Sequence, residues 1–340
     1  MRSKTTVLFI WDVDKHLRNY LAGRLEQFSN IELVFPPHPS QEEYLELAPN
    51  ANIIVGWRPT KELLQAAKAL QLFINPGAGV QHLIDLFKDP NHSREIILAN
   101  CHGNSSFVAQ HAVALLLALS NKIVIHHNWM ADGEWRKGDE DAKSIPLRNR
   151  SIGLLGYGAV NQKVHRLLSS FDLNFSILRR NWTKQQTPPL TQARKYDYHA
   201  LHKFLDEIDI LIIAVPLTSL TRQLIKKREL ELLGSNGLLI NVARGNIIDE
   251  TSLFNALKDN TIAGAAIDVW YNHNPEKNKL GRKYPFSYPF HKLQNVILSP
   301  HRGASPLDDL HRWDEVIENI KRHAEGNDEF LNVVDLTKEY

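Results

Sequence analysis

Short apolar runs alternate with amphipathic stretches along almost the whole chain, the pattern of α/β domains built on parallel sheets. In the first third, TTVLFIW (5–11), IELVF (31–35), ANIIVG (51–56), LQLFIN (70–75) and EIILAN (95–100) predict strands. Helical spacing lies between them, as in KELLQAAKAL (61–70), and one long helix is expected from about Phe107 to His127. A polar, turn-rich segment at 132–150 precedes a second alternation. Its predicted strands are SIGLLG (151–156), NFSILR (174–179), IDILIIAV (208–215), NGLLINV (236–242), IAGAAID (262–268) and NVILSP (295–300). Helical spacing returns from about Ser305. Between 271 and 294 lies an irregular stretch containing YPFSYPF (284–290), whose alternating aromatics predict an extended segment laid on a surface. Packing is its simplest role; a cleft wall or a subunit contact is the alternative.

Composition narrows this picture only slightly. The 340 residues suggest two domains, and 43% hydrophobic with 23% charged residues is ordinary for a globular protein. A net charge of +2 with no basic block gives no reason to expect nucleic acid or an anionic membrane surface as partner. The single cysteine, Cys101, excludes an intrachain disulfide; an incidental buried thiol is expected there rather than a nucleophile. The N-terminal apolar run breaks at Asp12 without a cleavage-site pattern, so it predicts a strand, not a signal peptide. HAVALLLAL (111–119) is far shorter than the roughly 20 residues a bilayer needs. A cytoplasmic protein with a small-molecule substrate is the expectation.

The most informative stretch is SIGLLGYGAVNQKVHRLLSSF (151–171), a strand running directly into Gly156-Tyr157-Gly158-Ala159-Val160-Asn161 and then a helix. In that context glycines permit a tight turn and let a pyrophosphate approach backbone N–H groups at a helix N-terminus. The third glycine of the usual motif is replaced by Asn161, which implies wider helix–strand packing or a polar contact. The next strand ends in SILRRN (176–181). An acidic side chain at this strand tip, about 20 residues past the glycines, would bind the ribose of NAD. Arg179 stands there instead, followed by Arg180 and Asn181, and guanidinium groups bind phosphate through forked, charge-assisted bonds. NADP is therefore expected in preference to NAD, with NAD possible.

Taken together, the ordered motifs resemble the D-isomer-specific 2-hydroxyacid dehydrogenases, the group that includes phosphoglycerate, glyoxylate/hydroxypyruvate and formate dehydrogenases. NPGAGVQHL (75–83) resembles that family's substrate-carboxylate loop, and NSSFVAQH (104–111) the start of its interdomain helix, with Gln110 where glutamate is common. GEW (133–135), the glycine turn, AVPLTSLTRQLI (214–225), NVARGNIID (241–249), AAIDVW (265–270) and SPHRGA (299–304) follow in order. The resemblance implies two doubly wound parallel-sheet domains. A Rossmann-type dinucleotide-binding domain (104–303) would be inserted into a discontinuous, flavodoxin-like substrate domain (1–103 plus 304–340), with the active site at the crossings and a homodimer as the assembly.

The same resemblance distributes roles. Gly77, Ala78, Gly79, Val80 and Asn104 would bind substrate, Arg244 would hold the carboxylate and polarise the carbonyl, and His301 would serve as acid/base. Val215, Pro216, Thr221, Val242, Ala243 and Asp268 would join the glycine turn in contacting the cofactor. Histidine suits proton transfer because its unperturbed pKa of ~6.5 allows both forms near neutrality. One departure stands out. Family members usually carry a glutamate before a proline that pairs with this histidine, whereas this chain reads DVWYNHNPEK (268–277). Asn274 would take that place, with His273 and Glu276 as alternatives. An asparagine carbonyl can orient an imidazole but supplies no charge to stabilise imidazolium. The implied activity is reduction of a small 2-oxo acid to a D-2-hydroxy acid. Oxidation of a small anion such as formate, and a non-catalytic NADP-binding sensor, remain as alternatives. No phosphate loop of the GxxxxGK[ST] type, HExxH, CxxC or GxSxG motif occurs, and a catalytic metal is not expected.

Overall fold

The computed structural model describes residues 4–89, 95–140, 142–182, 187–305 and 309–340. The chain divides into two compact units, Met1–Asn104 with Leu307–Tyr340, and Ser105–Pro306.

In the first unit β1 (Thr5–Phe9), β2 (Ile31–Val34), β3 (Ile53–Val55), β4 (Leu72–Asn75) and β5 (Ile97–Asn100) form a sheet in the order β2-β1-β3-β4-β5. Every pairing is parallel, which gives the flavodoxin-like order. Such a sheet is covered on both faces, so its strands are apolar at consecutive positions rather than alternating with polar residues. Val7, Phe9, Ile53, Val55, Leu72 and Ile74 enter one core, while Leu8, Ile54, Phe73 and Leu98 enter the other. The helix Asp314–Ala324 returns to this unit through Val316, Ile317 and Ile320. Cys101 is buried in the same core, and burial pushes its thiol pKa up, which removes the nucleophile reading.

In the second unit β6 (Ser151–Leu155), β7 (Asn174–Leu178), β8 (Ala193–Tyr196), β9 (Ile210–Ile213), β10 (Leu238–Asn241), β11 (Gly264–Ile267) and β12 (Val296–Leu298) form a wholly parallel sheet. The order β12-β11-β10-β9-β6-β7-β8 reverses between β6 and β9. Ligands of such sheets bind outside the carboxyl ends of the strands at that reversal. Again two cores sandwich the sheet, one taking Leu155, Leu211, Ile213 and Leu239, the other Leu154, Ile210, Ile212 and Ile240. β8, read as ARKY, is an edge strand of which only Tyr196 is buried; its polar sequence carries no strand pattern.

One predicted element is corrected. The long helix expected over 107–127 is two, Ser105–Ser120 and Ile123–Ala131, bent by 64°. Ser120 Oγ and Asn121 Nδ2 both donate back to the carbonyl of Leu117 (3.3 and 3.0 Å), and Lys122 adopts a left-handed φ of 57°. Polar side chains competing for a helix carbonyl in this way break the ladder that apolar periodicity alone would continue. Among the described residues no single helix is long and apolar enough to cross a membrane.

The segment 271–294 packs within its own unit. Phe286 lies 4.8 Å from Trp270 between ring centroids, Tyr288 stacks on Phe254 at 5.1 Å, and Phe290 is fully buried. The aromatic alternation therefore serves packing.

Candidate active site

At the end of β6, Gly156 has a φ of 84°, and a Cβ there would lie 2.6 Å from Val215 Cγ1 and 2.8 Å from the carbonyl of Ala214. Both backbone conformation and close approach to the end of β9 require glycine. Gly158 caps the helix Ala159–Leu168 without a side-chain bond, and a Cβ on it would meet nothing within 4 Å. Open space before amides at a helix start is what an anionic phosphate needs. Asn161 is completely buried and uses its amide for the polar contact: Nδ2 donates to the carbonyls of Gly156 (2.8 Å) and Leu155 (3.1 Å). It thereby ties the turn to the helix where the usual motif has a third glycine.

Tyr157 fastens the neighbouring loop. Its hydroxyl accepts from the backbone N–H of Leu190 (3.0 Å) and is hydrogen-bonded to Nδ1 of His165 (2.8 Å). Nε2 of His165 is in turn hydrogen-bonded to Thr191 Oγ1 (2.7 Å). Past β7, the Arg179 guanidinium lies 5.0 Å from the ring centroid of Trp182, as does Lys195 Nζ, while Arg180 and Asn181 are exposed. Three cations thus gather at the strand tip with no carboxylate at the position of Arg179. After β9, Thr221 Oγ1 donates to the carbonyl of Pro216 (2.6 Å) and accepts from the N–H of Thr218 (2.8 Å), which shapes the Val215–Pro216 turn.

β10 ends in Asn241, whose side chain accepts from the N–H of Ala243 (3.0 Å) and donates to the carbonyl of Arg244 (3.0 Å). This turn contains Val242 and Ala243, both buried, and presents Arg244, whose Nη1 donates to the Ala243 carbonyl at 2.6 Å. Gly245 is obligatory: a Cβ would stand 2.5 Å from the backbone of Trp270. Burial holds the Arg244 guanidinium below its usual pKa, but arginine remains charged across any working pH.

β11 ends in Asp268, only 2% exposed. Its Oδ1 accepts from Ser299 Oγ (2.5 Å) and the N–H of Arg302 (2.7 Å), and its Oδ2 from the N–H of Gly303 (3.1 Å). Burial pulls this carboxyl upward, yet the bonds from His111, Ser299, Arg302 and Gly303 outweigh it and leave the pKa below the usual value. His301 sits inside the turn so held, with a left-handed φ of 58°. That conformation costs about 1 kcal/mol for a residue with a Cβ and persists only where neighbours impose it. His301 is partly solvent-exposed, but burial of the rest is the largest influence on it and lowers its pKa. Asp268 opposes that shift, while Arg244, His273 and Arg302 reinforce it.

The sequence left the partner of His301 open among Asn274, His273 and Glu276. Asn274 is exposed and turns its backbone N–H onto Asn272 Oδ1 (2.9 Å); Glu276 is exposed as well. The ring beside His301 is that of His273, with centroids 6.0 Å apart. Sequence reading also missed His111 and Ser299 as neighbours of Asp268. Their only signal was membership of the segments NSSFVAQH and SPHRGA.

In the first unit, the loop after β4 is drawn inward by amides. Asn75 Nδ2 donates to the carbonyls of Gly77 and Gly79, and Asn100 Nδ2 to that of Ala78 (2.8 Å). In a trans peptide the N–H points opposite to the C=O. The N–H groups of Ala78, Gly79 and Val80 are therefore directed away from these asparagines. Asn104 is half-buried at the end of this unit. Among the described residues no group of His, Cys, Asp or Glu side chains could hold a metal ion.

Comparison with known proteins identifies the family. Residues 113–303 match the model of the D-isomer specific 2-hydroxyacid dehydrogenase, NAD binding domain. A D-3-phosphoglycerate dehydrogenase of Archaeoglobus fulgidus is 30% identical over 88% of this chain, and the chain spans only 54% of that protein's length. A glyoxylate/hydroxypyruvate reductase of Arabidopsis thaliana is 31% identical over 84% of this chain and 81% of its own. The solved D-isomer specific 2-hydroxyacid dehydrogenase of Xanthobacter autotrophicus, in complex with NADPH and MES, shares the fold. Its TM-score is 0.79 at 21% identity, covering 99% of this chain and 100% of that one. The chain belongs to the D-isomer-specific 2-hydroxyacid dehydrogenase family.

Proposed function

We propose that the chain is a reductase of small 2-oxo acids, using NADPH in preference to NADH and forming a D-2-hydroxy acid. The observation that carries this reading is the placement of Arg244 and His301 after β10 and β12 of one parallel sheet. They are near enough for Arg244 to depress the His301 pKa. The residues fit a dinucleotide: Gly156, Gly158 and the helix start at Ala159 suit its pyrophosphate, and Arg179 and Arg180 suit a 2′-phosphate. When bound, the nicotinamide supplies the hydride.

Arg244 attracts the substrate's carboxylate and draws electron density toward the ketone oxygen, so negative charge developing there is stabilised. In the first unit, the amides of Ala78, Gly79 and Val80 are of a kind that suits a carboxylate. His301 donates a proton from its ring to the alkoxide oxygen as hydride reaches the carbon, and takes it back in the reverse direction. Because burial, Arg244, His273 and Arg302 all disfavour its imidazolium, His301 gives up that proton readily.

A homodimer is part of the proposal. Ile123, Val124, Met130 and Trp135, the last 76% exposed, leave an apolar surface around the helix Ile123–Ala131 of the second unit. The test of the reading is consumption of NADPH or NADH against glyoxylate, hydroxypyruvate, pyruvate and bulkier 2-oxo acids, with the product's configuration determined. Turnover to a D-2-hydroxy acid is expected. Tight dinucleotide binding with no turnover across the panel would replace the reductase by a non-catalytic binding protein.

A further inference from the structure

His111, on the helix Ser105–Ser120, has no part in the chemistry above, yet it is joined to the turn that carries His301. Its Nε2 lies 2.9 Å from Ser299 Oγ and 3.3 Å from Asp268 Oδ1. A serine hydroxyl has one proton. The 2.5 Å bond to Asp268 takes that proton, so Ser299 Oγ can only accept from His111, and Nε2 must carry hydrogen. This is not an activated-nucleophile arrangement, because the carboxylate holds the hydroxyl itself rather than the far side of the imidazole.

The bonds converge on the flanks of His301 and leave its side chain alone. Ser299 donates its backbone N–H to the Ile267 carbonyl (2.9 Å), and its own carbonyl accepts from Trp270 Nε1 (2.8 Å). Asp268 takes the amides of Arg302 and Gly303 on the other side. Gly303 leaves no slack: a Cβ there would stand 3.0 Å from Asp268 Oδ2 and 3.4 Å from His111 Cδ2.

We propose that His111 is a positioning residue for His301, closing through Ser299 and Asp268 a clamp that holds the 299–303 turn in its left-handed backbone. The proposal rests on His301 being the proton donor of the reductase reading. Without the Nε2 donor, Ser299 and the buried carboxylate lose a shared partner and the turn relaxes. Displacement of a reacting group by about 1 Å costs on the order of a hundredfold in rate.

The test uses the full chain with His111→Phe, which keeps a ring but no donor, and His111→Gln, whose amide can donate again. In His111→Phe, kcat is expected to fall about tenfold to a hundredfold, with KM for the 2-oxo acid and dinucleotide affinity nearly unchanged. His111→Gln is expected to recover most of the loss. The His301 ring resonance, identified by its absence in His301→Gln, should move in the Phe variant and return in the Gln variant. A Phe variant with near-wild-type kcat and an unmoved His301 resonance overturns the proposal. So does a Gln variant as slow as Phe when both melt like the parent. If His111→Phe does not fold, Ser299→Ala severs the same link and must show the same loss. If the wild type reduces no 2-oxo acid, the reductase reading fails on its own, and the His301 resonance alone decides the clamp.

Discussion

The imidazole of His273 stands 6.0 Å from that of His301, centroid to centroid, in the segment where relatives are expected to place a carboxylate. A protonated His273 therefore opposes protonation of His301, where a carboxylate would favour it. Ketone reduction needs His301 protonated, so its rate should fall as pH rises through a midpoint set low. Two unit charges 6 Å apart in water-like surroundings interact by about 0.7 kcal/mol, or about half a pH unit. His273→Gln should move that midpoint upward by about this much, and Asn274→Glu should move it further. Superimposable pH–rate profiles would remove His273 from the account.

In the proposed reductase, the preference for NADPH is assigned to the cations at the tip of β7. Arg179→Asp places a carboxylate where it would accept from a ribose hydroxyl and repel a 2′-phosphate. The ratio of kcat/KM for NADPH over NADH should drop at least about tenfold, since a bond to a charged group contributes about 1.5–3 kcal/mol. Arg180→Ala, removing an exposed guanidinium, should lower the same ratio. An unchanged ratio in both would leave the pair as a solvated strand end.

Asn161 makes a prediction opposite to the one the usual motif suggests. Restoring glycine with Asn161→Gly would remove the Nδ2 donor from the carbonyl of Gly156, while that of Leu155 would keep only the N–H of Ala214 (3.1 Å). Stability should fall by about 1–3 kcal/mol and dinucleotide affinity should not improve. Denaturant titration alongside binding of NADPH checks both halves.

His165 is fully buried, and burial lowers its pKa. A group protonated more easily unfolded than folded stabilises the native state above the unfolded value of ~6.5 and withdraws that stability as pH falls. Melting temperature should therefore decline from pH 7 toward pH 5, and His165→Gln should flatten part of the decline. A slope unaffected by the substitution would assign the acid sensitivity to other groups.

Much of this was legible in the residues because it depends on local rules. Two-sided burial makes the strands apolar at consecutive positions, and the turn at Gly156 needs a left-handed φ that glycine alone adopts readily. SILRRN is unusual because the burial of a strand does not call for paired arginines at its tip. The rest depends on contacts distant in sequence. The break at Asn121 and Lys122 is invisible to apolar periodicity, since it arises from side chains competing for the Leu117 carbonyl. β8 is too short and polar to announce itself. That His273 rather than Asn274 faces His301 depends on how Tyr271 and Asn272 donate to the carbonyl of Pro285. The link from His111 to Asp268 spans more than half the second unit's sequence, and no spacing rule anticipates it.

The central claim is that Arg244 and His301 reduce a 2-oxo acid with hydride from NADPH. The most direct test is single-turnover oxidation of bound NADPH by glyoxylate or hydroxypyruvate in wild type, Arg244→Ala and His301→Gln. The account predicts rapid oxidation in the wild type and a loss of at least about a hundredfold in each variant, with NADPH affinity retained. Wild-type turnover that survives in either variant would contradict it.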